Sequence, residues 1–295
     1  MATTNSETFI LDGRAVANEV HKRIINEINL IKSKNLRVPG LAVILVGENP
    51  ASYTYVKNKE KISKKIGIYS EVHHLPSNTS EPELLKLIEA LNFDKNIDGI
   101  LVQLPLPIHL KQEKIINSIN PEKDVDGLHP DNLGKLLSNQ KSLIPCTPKG
   151  VIEILKHYSI NVSGLHAVIV GRSTLVGKPL SILLLQNNAT VTISHSKSNS
   201  LQEITRSADI LISAIGKPRL INKNWIKPGS VIIDVGINKI YENSKERLVG
   251  DIDFESVVSL CHAITPVPGG VGPVTIAMLM SNTLESYKTR ESIND

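Results

Sequence analysis

Short aliphatic runs that end at glycine or proline alternate along this chain with stretches of helical periodicity. Residues 41–46 form one such run and end at Gly47, and residues 99–104 form another, which ends at Pro105. Aromatic residues make up only 3% of the chain, so its core must consist of Ile, Leu and Val. Such runs are typical of parallel strands covered on both faces, and their alternation with helices predicts an α/β fold.

The periodicity and the turn residues together predict most of the helices and strands. We expect helices at about 12–34, 52–66, 82–91, 148–158, 180–185 and 274–288. We expect strands at about 41–46, 71–75, 99–104, 166–170, 189–194, 210–215, 231–235 and 263–264. The pattern changes at residues 145–148, which predicts two domains: 1–146, completed by a C-terminal helix in 274–295, and 147–273.

Composition excludes several function classes. A formal charge of +4 over 295 residues is too small and too dispersed to indicate nucleic-acid binding. No apolar run approaches the ~20 residues that span a bilayer. A polar N-terminus with Glu7 and Asp12 fits neither a secretory signal nor a mitochondrial presequence. We therefore expect a cytoplasmic protein without membrane or nucleic-acid partners.

Cysteine and histidine give no sign of a metal site. The two cysteines, Cys146 and Cys261, lie far apart and lack the spacing of metal ligands. A disulfide between them is one interpretation, and two free thiols in a reducing compartment are the favoured one. The histidines at 73, 74, 109, 129 and 262 also lack ligand spacing, so no metal is expected.

One glycine turn stands in a context typical of nucleotide binding. The predicted strand 166–170 runs into Gly171, and a helix begins just after Gly177 and Pro179. Free amides at the start of such a helix favour a phosphate group. The two glycines are not spaced as in the standard dinucleotide fingerprint, so this loop alone is equally compatible with a simple tight turn.

The charges around that turn favour NADP. NAD sites usually place an acidic residue at the end of the second strand, where it binds the ribose hydroxyls. Residues 171–202 contain no Asp or Glu, whereas Arg172 follows the first glycine, and Ser196 and Lys197 follow the second strand. Cations and hydroxyls suit a 2′-phosphate. The alternative interpretation is a solvated basic edge without a ligand.

Two overlapping residue pairs in the helix at 52–66 have the i, i+4 spacing that puts side chains on one helix face. Tyr55 and Lys59 form one pair, and Tyr53 and Lys57 form the other, on nearly the opposite face. Spacing alone does not choose between them, and either pair is compatible with an ordinary solvated helix surface.

Three further segments carry candidate functional residues. Gln103 ends an aliphatic strand, either as a simple polar cap or as a ligand contact. Asp126 lies in the sequence Asp-Val-Asp-Gly, which by itself is typical of a turn. Residues 265–273 form a rigid loop of proline and glycine that presents its amides, and we interpret it as a binding loop.

Together these segments resemble the bifunctional methylenetetrahydrofolate dehydrogenase/methenyltetrahydrofolate cyclohydrolase family. The resemblance spans nearly the whole chain in the family's order, and it selects Tyr55 and Lys59 over the overlapping pair. It is carried by Ser52-x-x-Tyr55-x-x-x-Lys59, Val102-Gln103-Leu104-Pro105, Lys123-Asp124-Val125-Asp126-Gly127, Pro145-Cys146-Thr147-Pro148-Lys149-Gly150, Gly171-Arg172-Ser173 with Val176-Gly177, and the loop from Pro266 to Pro273.

The resemblance implies an enzyme that oxidises 5,10-methylenetetrahydrofolate with NADP and then hydrolyses the product to 10-formyltetrahydrofolate. It implies a homodimer in which two α/β domains flank a folate cleft, the C-terminal one a Rossmann-like parallel sheet. The residues implied to bind tetrahydrofolate derivatives are Tyr55, Lys59, Val102, Gln103, Leu104, Asp126, and Pro268, Gly269, Gly270, Val271 and Gly272 of the closing loop. Those implied to contact NADP are Gly171, Arg172, Ser173, Ser196 and Ile237.

The two implied reactions make different demands on the side chains. Hydride loss from a carbon between two nitrogens leaves a cation that their lone pairs stabilise, so no proton has to move. Hydrolysis requires the attacking water to lose a proton, and Lys59 is our candidate for that role, as a neutral amine or a proton shuttle. We expect Gln103 to orient the water and Lys59, Tyr55 to pack beside them, and Asp126 to bind the pterin edge.

Three alternatives are open on the sequence alone. A short-chain dehydrogenase also uses a Tyr-x-x-x-Lys pair, but its nucleotide loop precedes that pair, whereas Gly171 lies far after Tyr55. A catalytically silent folate- or nucleotide-binding regulator would not need the set of Lys59, Gln103 and Asp126. A dehydrogenase without hydrolase activity has no distinguishing sequence feature, and only assays of both reactions separate it.

Overall fold

The computed structural model describes residues 8–242 and 245–293. Helices and strands alternate along most of these residues, which confirms the predicted α/β class. The helices are α1 (Gly13–Ser33), α2 (Pro50–Ile66), α3 (Glu81–Phe93), α4 (Gln112–Asn117), α5 (Pro130–Leu137), α6 (Cys146–His157), α7 (Gly177–Gln186), α8 (Leu201–Arg206), α9 (Phe254–Val257) and α10 (Val271–Arg290). The strands are β1 (Phe9–Ile10), β2 (Gly40–Val46), β3 (Tyr69–Leu75), β4 (Gly99–Val102), β5 (His166–Val170), β6 (Thr190–Ser194), β7 (Ile210–Ser213), β8 (Val231–Asp234), β9 (Asn238–Glu242), β10 (Lys245–Val249) and β11 (Ala263–Ile264).

The chain divides into two compact units. The amino-terminal unit comprises Asn18–Cys146 together with residues 276–293. The carboxyl-terminal unit comprises Thr147–Thr275 together with residues 8–17. The predicted amino-terminal domain includes the first residues of the chain, whereas in the structure β1 pairs in parallel with β11 and so lies in the carboxyl-terminal sheet.

The amino-terminal unit contains a three-stranded parallel sheet in the order β3-β2-β4. All residues of β2 are buried, as expected for a central strand that is covered on both faces. Its core also includes Leu84 and Ile88 of α3 and Ile115 of α4. Asp124 pairs in parallel with Ile100 of β4. The segment that leads to Asp126 therefore runs beside β4 and ends at the same edge of the sheet.

The carboxyl-terminal unit contains a six-stranded sheet in the order β1-β11-β8-β7-β5-β6, and every neighbouring pair is parallel. The strand β5 has β6 on one side and β7 on the other, so the strand order reverses at β5. In open parallel sheets, ligands bind at the carboxyl ends of the strands beside such a point. Because β5 and β7 end at Val170 and Ser213, the expected crevice adjoins Gly171 and Ala214.

Several element boundaries differ from the prediction. The strand predicted at 99–104 ends at Val102, since a proline two residues after Gln103 has no amide with which to extend the pairing. The last helix begins at Val271 rather than Val274, because a proline is tolerated in the first turn of a helix. The hairpin of β9 and β10 is absent from the prediction, since neither strand contains a buried residue and neither has an alternating apolar pattern.

Candidate functional site

A buried stripe on α2 explains the environment of Lys59. Its buried side chains recur at helical spacing and include Val56, Ser63 and Ile66. Lys59 lies three residues after Val56 and four before Ser63, so it falls in the middle of that stripe and is only partly exposed. A lysine on the core-facing side of a helix must find a polar partner for its ammonium group.

That partner is Gln103, which follows directly after β4. The Nζ atom of Lys59 donates to Oε1 of Gln103 at 2.7 Å. The amide nitrogen Nε2 of Gln103 donates to the carbonyl of Leu104 at 2.7 Å, so the amide group is oriented with its oxygen toward the lysine. The structure thus joins two of the candidate residues, one from α2 and one from the carboxyl edge of the sheet.

The overlapping pair on α2 faces elsewhere. Tyr53 and Lys57 are both exposed, and Nζ of Lys57 lies 4.5 Å from the centroid of the Tyr53 ring. Tyr55 is also exposed, one helical turn before Lys59. The geometry therefore gives Tyr53 and Lys57 a mutual contact at the surface, and it leaves Tyr55 and Lys59 available to one site.

Burial shifts the protonation of the two charged candidates toward their neutral forms. The pKa of Lys59 is lowered, chiefly by burial, while electrostatic interactions with Asp126 and Cys146 oppose that shift. The pKa of Asp126 is raised, again chiefly by burial, and the positive charge of Lys59 opposes it. Both shifts follow from taking a charge out of water. A lysine of this kind can release and accept a proton closer to neutral pH than an exposed one.

Two residues of this region were not identified from the sequence as functional on their own account. The Cys146 thiol donates to the carbonyl of Val125 at 3.2 Å, and its hydrogen bond to Asp126 holds the pKa of that carboxyl down against the effect of burial. Asn282 of α10 is fully buried and donates to the carbonyls of Val125 and Ile144, each at 2.8 Å. Together they fix the turn that carries Asp126. Cys146 belongs to the Pro-Cys-Thr-Pro motif, whereas nothing in the sequence marked Asn282.

Val102 and Leu104 flank Gln103 and differ in exposure. The side chain of Val102 is buried in the core of the amino-terminal unit. A ligand at this edge would therefore meet the backbone of Val102 rather than its side chain. Leu104 is half-buried and adjoins the end of the strand.

In the carboxyl-terminal unit, the glycine turn after β5 is built by close backbone contacts. Gly171 has φ of +137° and a Cβ at this position would lie 2.5 Å from the carbonyl oxygen of Ala214. A Cβ at Gly177 would collide with the carbonyl of Gly171. Neither position tolerates a side chain, so the turn brings the start of α7 and the end of β7 against one another.

The groups around this turn fit a nucleotide with a 2′-phosphate. Val176, the N-cap residue of α7, makes no side-chain hydrogen bond to the first amides of the helix. Such amides at a helix start favour phosphate. The amide of Gly171 donates to the carbonyl of Ser194 at the end of β6, at 2.8 Å, which places the acid-free end of β6 beside the turn. Arg172, Ser173 and Ser196 are exposed. The glycine turn and the basic and hydroxyl side chains around it therefore suit NADP.

The proline-glycine loop and Ile237 lie near one another in the same unit. Ile237 is exposed, and a Cβ at Gly272 would lie 3.5 Å from its side chain. The hydroxyl of Thr265, where the loop begins, accepts a hydrogen bond from the amide of Asp234 at 2.7 Å. The loop 265–270 thus starts from a fixed point at the end of β8 and leads directly into α10.

Metal and membrane features are absent from the part of the chain that the structure describes. Over 8–242 and 245–293, no group of three or more His, Cys, Asp and Glu side chains could hold a metal ion. His73 and His109 instead contact Glu71 and the carbonyl of Thr79. A bilayer-spanning helix, which would have to be both long and apolar, does not occur among the described residues.

Two protein-family models match this sequence. Residues 11–126 match the tetrahydrofolate dehydrogenase/cyclohydrolase catalytic domain. Residues 145–291 match the tetrahydrofolate dehydrogenase/cyclohydrolase NAD(P)-binding domain. The first match contains Lys59, Gln103 and Asp126, and the second contains the glycine turn.

Known proteins and solved structures agree with these matches. The bifunctional protein FolD of Moorella thermoacetica is 53% identical over 279 residues, which cover 95% of this chain and 98% of that protein. The bifunctional FolD methylenetetrahydrofolate dehydrogenase/cyclohydrolase of Campylobacter jejuni has a TM-score of 0.92 and 47% identity, covering 96% of this chain and 99% of that one. A Trypanosoma brucei relative, solved with NADP and an inhibitor, has a TM-score of 0.93 and 38% identity, covering 98% and 100%.

Proposed function

The chain belongs to the tetrahydrofolate dehydrogenase/cyclohydrolase family, and from this premise we propose how its residues divide the work of two reactions. It is a bifunctional enzyme that oxidises 5,10-methylenetetrahydrofolate to 5,10-methenyltetrahydrofolate with NADP, and it hydrolyses that product to 10-formyltetrahydrofolate. We propose that Lys59, Gln103 and Asp126 serve the folate chemistry and that the turn at Gly171 binds the nucleotide.

The first reaction requires the protein to position the substrate rather than to transfer a proton. NADP, when bound, supplies the acceptor for the hydride. The carbon that loses the hydride lies between two nitrogens, whose lone pairs stabilise the resulting cation. No acid or base is needed for this step, so the side chains of the site act by holding the folate.

The second reaction needs a base, and Lys59 is the residue we assign to it. Water adds to the methenyl carbon and releases one proton, which gives a neutral adduct with a hydroxyl group. The bond from that carbon to one nitrogen then breaks as the hydroxyl loses its proton and the departing nitrogen takes one up, which leaves a formyl group on the other nitrogen. The observation that carries this assignment is the half-buried amine of Lys59, held 2.7 Å from Gln103 with a lowered pKa. The neutral amine accepts the proton, and a cationic substrate nearby lowers the pKa of the amine further.

Gln103 and Tyr55 complete the surroundings of the amine. Because the Nε2 atom of Gln103 is bonded to the carbonyl of Leu104, its oxygen stays directed at Lys59 and orients the amine toward the substrate. Tyr55 lies on the same helix with an exposed ring and packs against the folate. The backbone at Val102 and Leu104 forms the adjoining wall.

Asp126 binds the pterin edge of the folate. A carboxylate has two oxygens that match adjacent N–H donors, and such charge-assisted pairs are strong. Burial raises the pKa of Asp126, so the pterin donors supply the hydrogen bonds that its charged form otherwise lacks. The loop of Pro268, Gly269, Gly270, Val271 and Gly272 closes over the substrate in this proposal.

The nucleotide contacts follow from the carboxyl-terminal unit. Gly171 and Ser173 present the turn to the phosphates, and Ile237 contacts the nucleotide through its exposed side chain. Arg172 and Ser196 bind the 2′-phosphate, which makes NADP the preferred cofactor over NAD. The acid-free segment between Gly171 and Gln202 supports this preference, because a carboxylate there would repel the phosphate.

The cellular setting is also part of the proposal. We propose a homodimer in the cytoplasm, on the basis of the family resemblance. The modest positive charge suits small anionic substrates such as tetrahydrofolate derivatives, and we assign no nucleic-acid partner.

Paired assays test the division of roles. The absorbance of methenyltetrahydrofolate follows its formation from the methylene substrate with NADP or NAD, and its disappearance follows hydrolysis. We expect both activities in one preparation, with higher kcat/KM for NADP than for NAD in phosphate-free buffer. Equal efficiency with both nucleotides would remove the 2′-phosphate assignment, and absent hydrolysis would remove the role given to Lys59.

A further inference from the structure

We propose that Asp251 is a positioning residue for the dehydrogenase reaction: its carboxylate holds the loop after β7, residues 214–217, in the shape that the nucleotide site requires. Asp251 is not among the residues assigned to contact the nucleotide. It lies behind the loop rather than in the crevice beside Gly171. This inference rests on the proposed placement of the nucleotide beside Gly171.

The carboxylate of Asp251 is fully buried and accepts five hydrogen bonds. Three come from consecutive backbone amides of one loop, and two come from side chains. The Oδ2 atom accepts from the amide of Ile215 at 2.7 Å, from the amide of Gly216 at 3.2 Å and from the hydroxyl of Ser213 at 3.0 Å. The Oδ1 atom accepts from the amide of Lys217 at 2.9 Å and from Nδ2 of Asn238 at 3.0 Å.

This arrangement requires a carboxylate rather than another polar side chain. A carboxylate only accepts hydrogen bonds, and it has enough lone pairs for all five donors. An asparagine would direct an NH₂ group at one set of those donors and leave them unpaired. Gly236 packs directly on the carboxyl group, and a Cβ there would collide with it. The surroundings of Asp251 therefore fit an aspartate side chain in both size and hydrogen bonding.

The loop that Asp251 holds forms a wall of the nucleotide turn. Asp251 contacts Ser213 and Ile215, the residues on either side of Ala214. The carbonyl of Ala214 faces Gly171 so closely that a Cβ on the glycine would lie 2.5 Å from it. A shift of the loop would therefore move the surface against which Gly171 turns, and with it the crevice beside β5 and β7.

A second buried carboxylate sets the position of Asp251 itself. Asp234 at the end of β8 accepts from the amides of Asp251 and Ile252, at 3.0 and 2.9 Å. Its backbone amide donates to Thr265, where the proline-glycine loop begins. Asp251 and Asp234 thus tie the loop after β7 to the loop after β11, within one unit, with the backbone amide of Asp234 making the last contact.

The experiment compares the two reactions in Asp251→Asn. We expect the KM for NADP to rise by about tenfold or more, as for loss of a charged hydrogen-bond network, with kcat changed less. The cyclohydrolase rate should stay within about twofold, because that reaction uses no nucleotide. Asp253→Asn is the matched control: it lies two residues away on the same segment, makes no side-chain cap bond to α9, and should leave both reactions unchanged.

The outcomes separate a positioning role from a structural one. Equal losses in both reactions with an unchanged KM for NADP would show that Asp251 only supports the fold, and an unchanged KM without any loss would also overturn the proposal. If Asp251→Asn does not fold, Ser213→Ala removes one of the five contacts and decides: a raised KM for NADP supports the proposal, and an unchanged one contradicts it.

The same data distinguish this inference from the proposed nucleotide placement. If Arg172→Ala raises the KM for NADP and Asp251→Asn does not, only the role of Asp251 fails. If neither variant changes NADP binding, the placement of the nucleotide beside Gly171 fails.

Discussion

The two units use ionisable residues in opposite ways at the same place in a parallel sheet. At the carboxyl edge of the amino-terminal sheet, Lys59 and Asp126 face the site. The pKa of Lys59 is lowered and that of Asp126 is raised, and both shifts favour the neutral form. At the carboxyl edge of the other sheet, the turn presents glycine and backbone, and the carboxylates Asp234 and Asp251 lie buried behind it. The comparison links each arrangement to its chemistry.

The difference follows from where the reactive group resides. Hydrolysis moves a proton, so the protein must provide a titratable side chain whose pKa is close to the working pH. Hydride transfer relies on the chemistry of the nucleotide, so the protein provides a cavity of fixed shape and charge. In the first case burial shifts the pKa of a side chain at the site, and in the second a buried carboxylate holds a loop through its hydrogen bonds.

The largest expected effect separates the two reactions at Lys59. Lys59→Met keeps the apolar stem and removes the amine that donates to Gln103. We expect cyclohydrolase activity to fall at least ~100-fold, the loss typical of removing a positioned base, and dehydrogenase activity to fall less. Steady-state rates from methylene and methenyl substrates measure both.

A matched variant controls for the loss of a lysine from α2. Lys57→Met changes an exposed residue of the same helix that contacts Tyr53 rather than Gln103, and both rates should survive. If Lys59→Met abolishes hydride transfer and spares hydrolysis, the assignment of roles is reversed.

The next effect concerns folate binding at Asp126. Asp126→Ala should weaken folate binding by about 1.5–3 kcal/mol, as for loss of a charged hydrogen-bond partner, and should impair both reactions with little change in NADP binding. Calorimetric titration with a folate and with NADP measures this directly. Asp131→Ala changes an exposed carboxylate of α5 and should leave folate affinity unaltered; equal affinities in all three proteins would remove Asp126 from the site.

A smaller effect is expected for the nucleotide preference. Arg172→Ala should lower kcat/KM for NADP by about tenfold, as for one charged contact to a phosphate, and should change the value for NAD much less. Arg206→Ala, an exposed arginine at the end of α8, serves as the control for a simple loss of charge. Parallel losses with NADP and NAD in Arg172→Ala would contradict a 2′-phosphate contact.

The smallest effect is a pH dependence of stability at Asp234. Burial raises the pKa of Asp234 to about 7, so the folded protein retains a proton that the unfolded chain loses at lower pH. The stabilisation from that proton is complete below the ordinary carboxyl range and is lost as the pH rises through about 7.

Urea unfolding of the enzyme and of Asp234→Asn between about pH 5 and pH 8 measures this loss. We expect the free energy of unfolding of the enzyme to fall, relative to that of the variant, as the pH rises. Asp253→Asn, which lacks the contacts of Asp234, should show no such trend relative to the enzyme. A difference between Asp234→Asn and the enzyme that is constant with pH would show that Asp234 does not retain the proton.

Much of the fold was predictable because it rests on local patterns. The strands at 166–170 and 263–264 have the predicted bounds, since aliphatic runs between turn residues determine them. The core-facing stripe of Val56, Ser63 and Ile66 that includes Lys59 is evident only from the burial of these residues in the structure. The choice of Tyr55 and Lys59 over the overlapping pair came from the family resemblance.

The remaining parts depend on contacts that no local pattern records. Asn282 donates to Val125 across 157 residues of sequence, and a buried asparagine within a helix has no distinguishing spacing. Asp251 follows a glycine and reads as a turn residue, yet its partner Ser213 lies 38 residues earlier. Such residues are identified by what surrounds them in three dimensions, because their function is to hold other segments in place.

The most direct test of this division measures both reactions, from the same preparations, in Lys59→Met, Arg172→Ala and the unaltered enzyme. The quantity of interest is the ratio of the hydrolysis rate to the rate of hydride transfer at low NADP. We predict that Lys59→Met lowers this ratio by about tenfold or more and that Arg172→Ala raises it, since hydrolysis uses no nucleotide. A ratio that moves in the same direction in both variants, or in neither, would contradict the account.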